Sequence, residues 1–451
     1  MPVRAGRSTF TGNGLSDMFL YSDLLERADT ENPVQVGLIG AGKFGSMFLS
    51  QVPTTPGLVV AAIADLNPAA AKQACADVGW PRELIDKTRF VDDACLMMQS
   101  MQLDVVVEAT GNPAAGLRHA KESINNGIHI VMVNVEADVL AGALLAKLAV
   151  SAGVVYSMAY GDQPALTCEL VDWARSTGFE VVAAGKGTRY LPEYHHSTPD
   201  TVWDHYGLTA EQAAAAGMNS QMFNSFLDGT KSALEMAAIA NATLLEPPDD
   251  GLQFPAAGMD DLAHVLRPRS EGGQLEKKGR VEVVSSLERD GRPVFKDLRW
   301  GVYVVIEAPN SYAASCFRQY GMNTDDTGRY SAMFKPFHLI GLELNISILA
   351  AALANRPTGM TKAFKGDVVA TAKRKLNAGE MLDGEGGYTV WGKLYPAQTS
   401  LRIGGLPIGL AHNVKLLRDI EAGESLCWSD VDIDKSLDSV ITRREMEAIY
   451  L

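Results

Sequence analysis

Gly40-Ala41-Gly42-Lys43-Phe44-Gly45 stands between an apolar run, residues 34–39, and a stretch of helical character, residues 44–52. Asp65 ends the next apolar run, residues 59–64, twenty residues past the last glycine. Each residue type has a physical task in such a setting. Gly40 permits a tight turn, Gly42 lets a bulky anion approach the backbone, and Gly45 lets a helix pack close to the strand. The N–H groups of that helix's first turn, with its dipole, favour an anion. An acid at the end of the second strand accepts hydrogen bonds from ribose hydroxyls. Spacing and context together form a dinucleotide-binding fingerprint, with Gly40, Gly42, Lys43, Phe44, Gly45 and Asp65 as its contacts. Asp65 argues for NAD, because the 2′-phosphate of NADP would meet a like charge.

Other residues suit the chemistry that a bound dinucleotide would serve. Asp228-Gly229-Thr230-Lys231 opens a helical stretch, and Glu235 follows four residues later, so all three charges share one helix face. A lysine held by carboxylates can polarise a carbonyl or pass a proton during hydride transfer. The same spacing also suits a ladder of surface ion pairs. Lys186 lies between Gly185 and Gly187 after an apolar strand, with Arg189 close behind. That grouping suits a phosphate or carboxylate on a substrate, or equally a basic loop paired with acidic neighbours. Arg318 with Tyr320, and His338, are further candidates for contact with an anionic substrate. The bland alternative for His338 is a hydrogen-bonded core histidine. His195-His196 does not read as a metal site, since adjacent side chains of an extended segment point to opposite faces. No HExxH, GxSxG or Walker pattern occurs.

The elements that must position these groups follow from the apolar rhythm. Strand-like runs at 34–39, 58–64, 104–108, 128–133 and 154–157 alternate with helix-like runs, the pattern of a doubly wound parallel sheet. Thr110 and Gly111 follow the third of these runs and Asn134 the fourth, at the crevice where open sheets bind ligands. The expected fold is α/β: an N-terminal lead-in over 1–30, a dinucleotide-binding Rossmann domain over 31–160, an α+β substrate domain over 161–356, and a small mostly-β domain over 357–451. In the substrate domain, helices are expected at 165–176, 210–216 and 225–244. An antiparallel sheet is expected from 280–287, 293–298 and 301–308, and a buried apolar helix at 337–354.

The chain has 451 residues, 47% hydrophobic and 21% charged, enough for several cores. A net charge of −14 disfavours nucleic acid and anionic membranes as partners. Five scattered cysteines without CxxC spacing read as reduced thiols. With no signal-peptide pattern and no apolar stretch long enough to span a bilayer, the expected location is the cytoplasm.

The motifs quoted above, with Glu108-Ala109-Thr110-Gly111 and the tail phrases at 372–380 and 405–410, resemble homoserine dehydrogenase-like oxidoreductases that carry a C-terminal SAF domain. Residues 133–138, 159–164 and 338–343 look most like the 1-deoxy-D-xylulose 5-phosphate reductoisomerase-like members of that group. The resemblance implies a nicotinamide-dependent reduction of a small phosphorylated or carboxylated carbonyl compound, in a homodimer built through the middle domain. It also implies NADP as an alternative to NAD, and a divalent metal, Mg or Mn, with ligands that the sequence does not identify. Lys186 and Arg189 would grip the substrate, while Lys231 and Asp228 would serve proton transfer. One departure stands out. Homoserine dehydrogenases carry a lysine directly after the asparagine matching Asn134, where Val135 and Glu136 stand here. A homoserine dehydrogenase-like enzyme with another substrate, a non-catalytic NAD(P)-binding sensor, and a lyase with a leftover dinucleotide site remain open on residues alone.

Overall fold

The computed structural model describes residues 20–451. Part of the expected lead-in, residues 1–19, lies outside them; the rest forms helix α1 (Leu20–Asp29).

Six parallel strands build the first sheet: β1 (Val34–Ile39), β2 (Leu58–Ala64), β3 (Arg89–Val91), β4 (Val105–Glu108), β5 (His129–Met132) and β6 (Tyr156–Met158). Their order is β3-β2-β1-β4-β5-β6, so the direction of winding, not of the parallel strands, reverses between β1 and β4. That reversal opens a crevice at the carboxyl ends of the strands. Around the sheet run α2 (Lys43–Gln51), α3 (Pro68–Asp77), α4 (Arg82–Lys87), α5 (Ala94–Ser100), α6 (Pro113–Asn125) and α7 (Val135–Ala152). Side-chain caps from Asn67, Asp93, Asn112 and Asn134 accept first-turn N–H groups of four of these helices. β1, β4 and β5 are buried almost throughout, as a sheet covered on both faces requires.

A second sheet orders β7 (Glu180–Thr188), β8 (Arg280–Ser285), β9 (Val302–Glu307) and β10 (Tyr330–Lys335) as β10-β9-β7-β8. It is mixed rather than antiparallel, because β8 runs parallel to β7. Two glycines of β7 permit this packing. A Cβ on Gly185 would collide with the carbonyl of Glu282, and one on Gly187 with that of Leu298. The expected strand at 293–298 is not formed; only a single Leu287–Pro293 bridge marks a hairpin there. Helices α8 (Gln163–Ser176), α9 (Val202–Tyr206), α10 (Ala210–Ala215), α11 (Ser220–Leu227), α12 (Thr230–Thr243), α13 (Leu262–Val265) and α14 (Ser311–Gln319) surround this sheet. The helix expected over 225–244 is broken at Gly229, whose φ of +90° ends α11 and restarts the chain as α12. α15 (Asn345–Ala354) is shorter than the apolar run that encodes it, and it packs on the first sheet through Ile348, Leu349 and Ala351.

The last module holds β11 (Gly366–Ala372), β12 (Met381–Asp383), β13 (Val390–Pro396), β14 (His412–Leu416) and β15 (Val431–Asp432), with α16 (Ala397–Ile403) and α17 (Asp438–Tyr450). β11 pairs with β13, and β12, β14 and β15 form a small separate sheet. Arg443 of α17 is wholly buried, bonded to Asp367 of β11, Glu447 and the carbonyl of Leu140 in α7. Leaving either buried charge unpaired there would cost about 3–5 kcal/mol, so the tail is fastened to the body. α12 touches α7, α8, β11 and β13, which places its first turn where all three parts meet.

Candidate active site

The glycine turn is built around close backbone contacts. Gly40 has φ +91°, and a Cβ there would stand 2.8 Å from the Ala109 carbonyl at the end of β4. A Cβ on Gly45 would collide with the carbonyl of Gly40. Around Gly42, by contrast, nothing lies within 4 Å of a would-be Cβ. This is the open cradle that a pyrophosphate needs, next to the uncapped first turn of α2. Asp65, just after β2, accepts from Ala41 N at 2.9 Å and from Asn67 N at 2.9 Å. Its carboxylate thus ties the second strand to the turn at the ribose end of the crevice. Lys43 is exposed and Phe44 half-buried on the same turn.

Across the crevice, the Thr110 hydroxyl donates to Glu108 Oε1 at 2.5 Å, and Gly111 takes a positive φ of +66°. Asn134 is buried; its Oδ1 accepts from Ala137 N at 3.1 Å and its Nδ2 donates to the Asn112 carbonyl at 2.8 Å. Asn134 therefore joins the two loops that line this wall. Glu108 is fully buried, and its Oε2 has no hydrogen-bond partner among the described residues.

Two residues beyond Asn134, the first domain meets the second. Lys231 Nζ, on the first turn of α12, pairs with Glu136 Oε1 at 2.5 Å. Lys186, near the end of β7, is buried against Glu235 of α12 and donates to Gln163 Oε1 at 3.3 Å. Asp162 caps α8 through Gln163 N at 2.9 Å. Burial, reinforced by Glu235, pushes the Asp162 carboxyl above its usual range, while Lys231 and His338 pull against that shift. Lys231 behaves oppositely. Burial disfavours its charge, but Glu136, Glu385, Glu235 and Asp162 outweigh burial and hold its proton on. A lysine kept charged beside a crevice wall can donate a hydrogen bond to a carbonyl oxygen and a proton to an alkoxide.

The structure separates several residues that the sequence grouped. Asp228 does not pair with Lys231; it is buried and bonds Lys373 at 2.8 Å and Thr230 N at 2.9 Å. The share of proton transfer assigned to it is not supported by contact, because its carboxylate is consumed in joining α12 to the last module. Lys186 faces α8 and α12, whereas Arg189 lies beside Tyr206, with its Nε buried and without a partner among the described residues. A three-residue offset in extended chain sends them to opposite faces. Arg318 and Tyr320 are exposed after β9, whose Glu307 end pairs with Glu180, at the far end of the sheet from Lys186. Arg318 is therefore remote from this cluster. His338 sits at the near end, half-buried, with Nδ1 donating to the Trp300 carbonyl at 2.6 Å. His195 and His196 face different partners, the Asp228 carbonyl at 2.7 Å and the Lys373 carbonyl at 2.8 Å.

Glu136, Asp162 and Gln163 had no role assigned from sequence. Their signal was positional, since each stands within two residues of a capping Asn or Asp at a strand-to-helix junction. As for a divalent metal, no group of three or more His, Cys, Asp or Glu side chains among the described residues is arranged to hold one. The crevice residues fit a dinucleotide. None of the described helices is long and apolar enough to cross a membrane.

Comparison with known proteins agrees with this geometry. Residues 40–157 match the family model of the homoserine dehydrogenase NAD-binding domain, and residues 161–344 match that of the catalytic domain of oxidoreductase DRL. No curated protein matches the chain. Solved structures with similarity include a probable dehydrogenase from Thermotoga maritima at 11% identity, covering 72% of this chain and 90% of that one, with a TM-score of 0.37. Others are a scyllo-inositol dehydrogenase from Lactobacillus casei (13% identity, 73% and 91% coverage, TM-score 0.37) and a putative myo-inositol dehydrogenase from Sinorhizobium meliloti 1021 (14%, 72% and 90%, 0.34). Similarity at that level carries no argument about substrate. The two domain matches and the glycine turn make the chain an NAD(P)-dependent oxidoreductase.

Proposed function

We propose that this NAD(P)-dependent oxidoreductase transfers hydride to or from a small phosphorylated or carboxylated carbonyl compound, with Lys231 as the proton-transfer group. The observation that carries the reading is the Lys231–Glu136 pair at 2.5 Å, two residues past the asparagine that braces the crevice wall. It offers an answer to the lysine missing after Asn134. The cation comes from the second domain instead, and a carboxylate in the first domain aims it.

When bound, the nicotinamide supplies or accepts the hydride. Lys231 meets the carbonyl oxygen and gives it a proton in the reducing direction, breaking one N–H bond as the O–H bond forms. Lys186, neutralised by Glu235, offers its remaining N–H bonds to substrate hydroxyls. Lys335 and His338, half-buried at the same end of the second sheet, suit the anionic group of the substrate. Asp65 supports NAD as the preferred cofactor, since its carboxylate stands where a 2′-phosphate would be repelled. Pairing of two chains through the middle domain belongs to the same proposal, and sedimentation equilibrium tests it.

Among possible substrates, 1-deoxy-D-xylulose 5-phosphate comes first, on the resemblance of residues 133–138 and 159–164. The test is a panel of sugar phosphates, aldehydes and hydroxy acids, each with NADH and NADPH, followed by nicotinamide absorbance. Turnover of another panel member but not of 1-deoxy-D-xylulose 5-phosphate removes that substrate and keeps the class. Tight cofactor binding with no turnover across the panel counts against catalysis on this substrate class.

A further inference from the structure

Neither matched domain reaches beyond residue 344, so the module of β11 to α17 has no role assigned by them. Besides the packing of β11 and β13 on α12, it touches the second domain through one loop, residues 383–389. Gln221 of α11 donates through Nε2 to the carbonyls of Asp383 at 3.2 Å and Glu385 at 2.9 Å. Asn224 Nδ2 donates to the Gly386 carbonyl at 2.8 Å. Gly386 has φ +68°, and a Cβ there would collide with the Gln221 carbonyl. A second anchor is Lys373, whose Nζ donates to the carbonyls of Ser197 and Gly387, each at 2.7 Å, and pairs with Asp228 at 2.8 Å. Five polar contacts fall on the loop itself and hold its single inward carboxylate in place.

That carboxylate is Glu385, which accepts a hydrogen bond from the Ser225 hydroxyl. The charged groups facing it come from three elements: Glu136 of α7, Lys231 of α12, and Asp228 at the turn between α11 and α12. Through Ser225, and through Lys373 joining Gly387 to Asp228, Glu385 is therefore held at the turn that leads into Lys231, without belonging to either matched domain. We infer that the last module completes the active site, its 383–389 loop delivering Glu385 to the turn before Lys231 as a positioning residue for that lysine. The module is then a third wall of the catalytic cluster, and its attachment adds one carboxylate to those around the lysine. The electrostatics agree in direction. Glu385 ranks after Glu136 among the charges that keep Lys231 protonated. Burial, reinforced by Glu136, raises the Glu385 carboxyl itself to about 8, so its negative charge is developed above that pH, in the alkaline range where the labelling is read.

This inference rests on the reading of Lys231 as the proton-transfer group, but its test needs no substrate. Competitive labelling of the full chain with trace acetic anhydride from pH 8 to 11, read by mass spectrometry, reports the neutral fraction of Lys231 against exposed Lys72. Glu385→Gln keeps an oxygen for Ser225 and removes the charge. Its Lys231 should lose its proton at lower pH and label about three- to tenfold faster near pH 9.5, since one pKa unit is a factor of ten. Gly386→Ala, which displaces the loop, should act in the same direction. Cofactor binding and melting curves confirm that both variants are folded. A Lys231 profile that is unchanged, or undetectable labelling in all forms, overturns the inference. If the profile shifts but no panel substrate is turned over, the proposed reaction fails and the coupling of Glu385 to Lys231 stands.

Discussion

Lys231 on the first turn of α12 reaches across a domain boundary to Glu136 on the first turn of α7, 2.5 Å from Nζ to Oε1. The two residues are 95 positions apart in sequence. Each sits at the start of a helix whose preceding turn is locked, Asn134 capping α7 and Asp228 accepting from Thr230 N before α12. The pair therefore joins the cofactor crevice to the substrate domain through two rigid helix ends. Its partial burial means that removing either partner would leave an uncompensated charge, at a greater cost than breaking a surface ion pair.

Two glycines of the same turn should fail in different ways. Gly45→Ala places a methyl group against the Gly40 carbonyl, so its cost falls on the fold, about 1–3 kcal/mol and a lowered melting temperature. Gly42→Ala meets nothing in the free protein and has φ −68°, an ordinary value for alanine. It should melt like the wild type yet bind NADH at least about tenfold more weakly, about 1.4 kcal/mol. Paired thermal melts and fluorescence titrations check both.

On the proposed reading, Asp65 decides between the two nicotinamide cofactors. The wild type should bind NADH about tenfold more tightly than NADPH, and Asp65→Ser should bring the two near parity. Titration by protein-to-nicotinamide energy transfer measures both constants. A wild-type preference for NADPH would show that the carboxylate, held by Ala41 N and Asn67 N, does not face the ribose.

Asp138 carries a pH signature. It is buried between Tyr156 and Thr361, and burial raises its carboxyl to about 6 from an ordinary value near 3.8. Between these two values the folded chain holds a proton that the unfolded chain has released. Stability from this residue must then fall as pH rises from about 4 to 6, by up to about 1.4 kcal/mol per pH unit, and stay level above. Asp138→Asn should remove that slope. Urea unfolding midpoints at pH 4, 5, 6 and 7 provide the comparison.

The first sheet was legible because its signals are local. β1 and β2 coincide with the apolar runs at 34–39 and 58–64, and the glycine turn follows from residue spacing alone. Other elements escaped for identifiable reasons. The apolar run at 337–354 hides Gly341, whose φ of +72° seats a loop against Met47 and Phe44 of α2, so the helix starts only at Asn345. β10 has no strong alternation to announce it. The site was harder still. Helical spacing places Asp228, Lys231 and Glu235 on one face, but it cannot reveal that each charge has a partner elsewhere: Lys373, Glu136 and Lys186. Those partners come from three separate parts of the chain, and only tertiary packing brings them together.

The central claim is that Lys231 transfers the proton in a nicotinamide-dependent reaction. It is tested most directly by comparing kcat and cofactor affinity of the wild type and Lys231→Met on whichever panel substrate is turned over. The account predicts a loss of about 10²- to 10⁴-fold in kcat, the usual contribution of a general acid, with the Kd for NADH within about twofold. A Lys231→Met enzyme that keeps turnover within a few-fold of the wild type would contradict it.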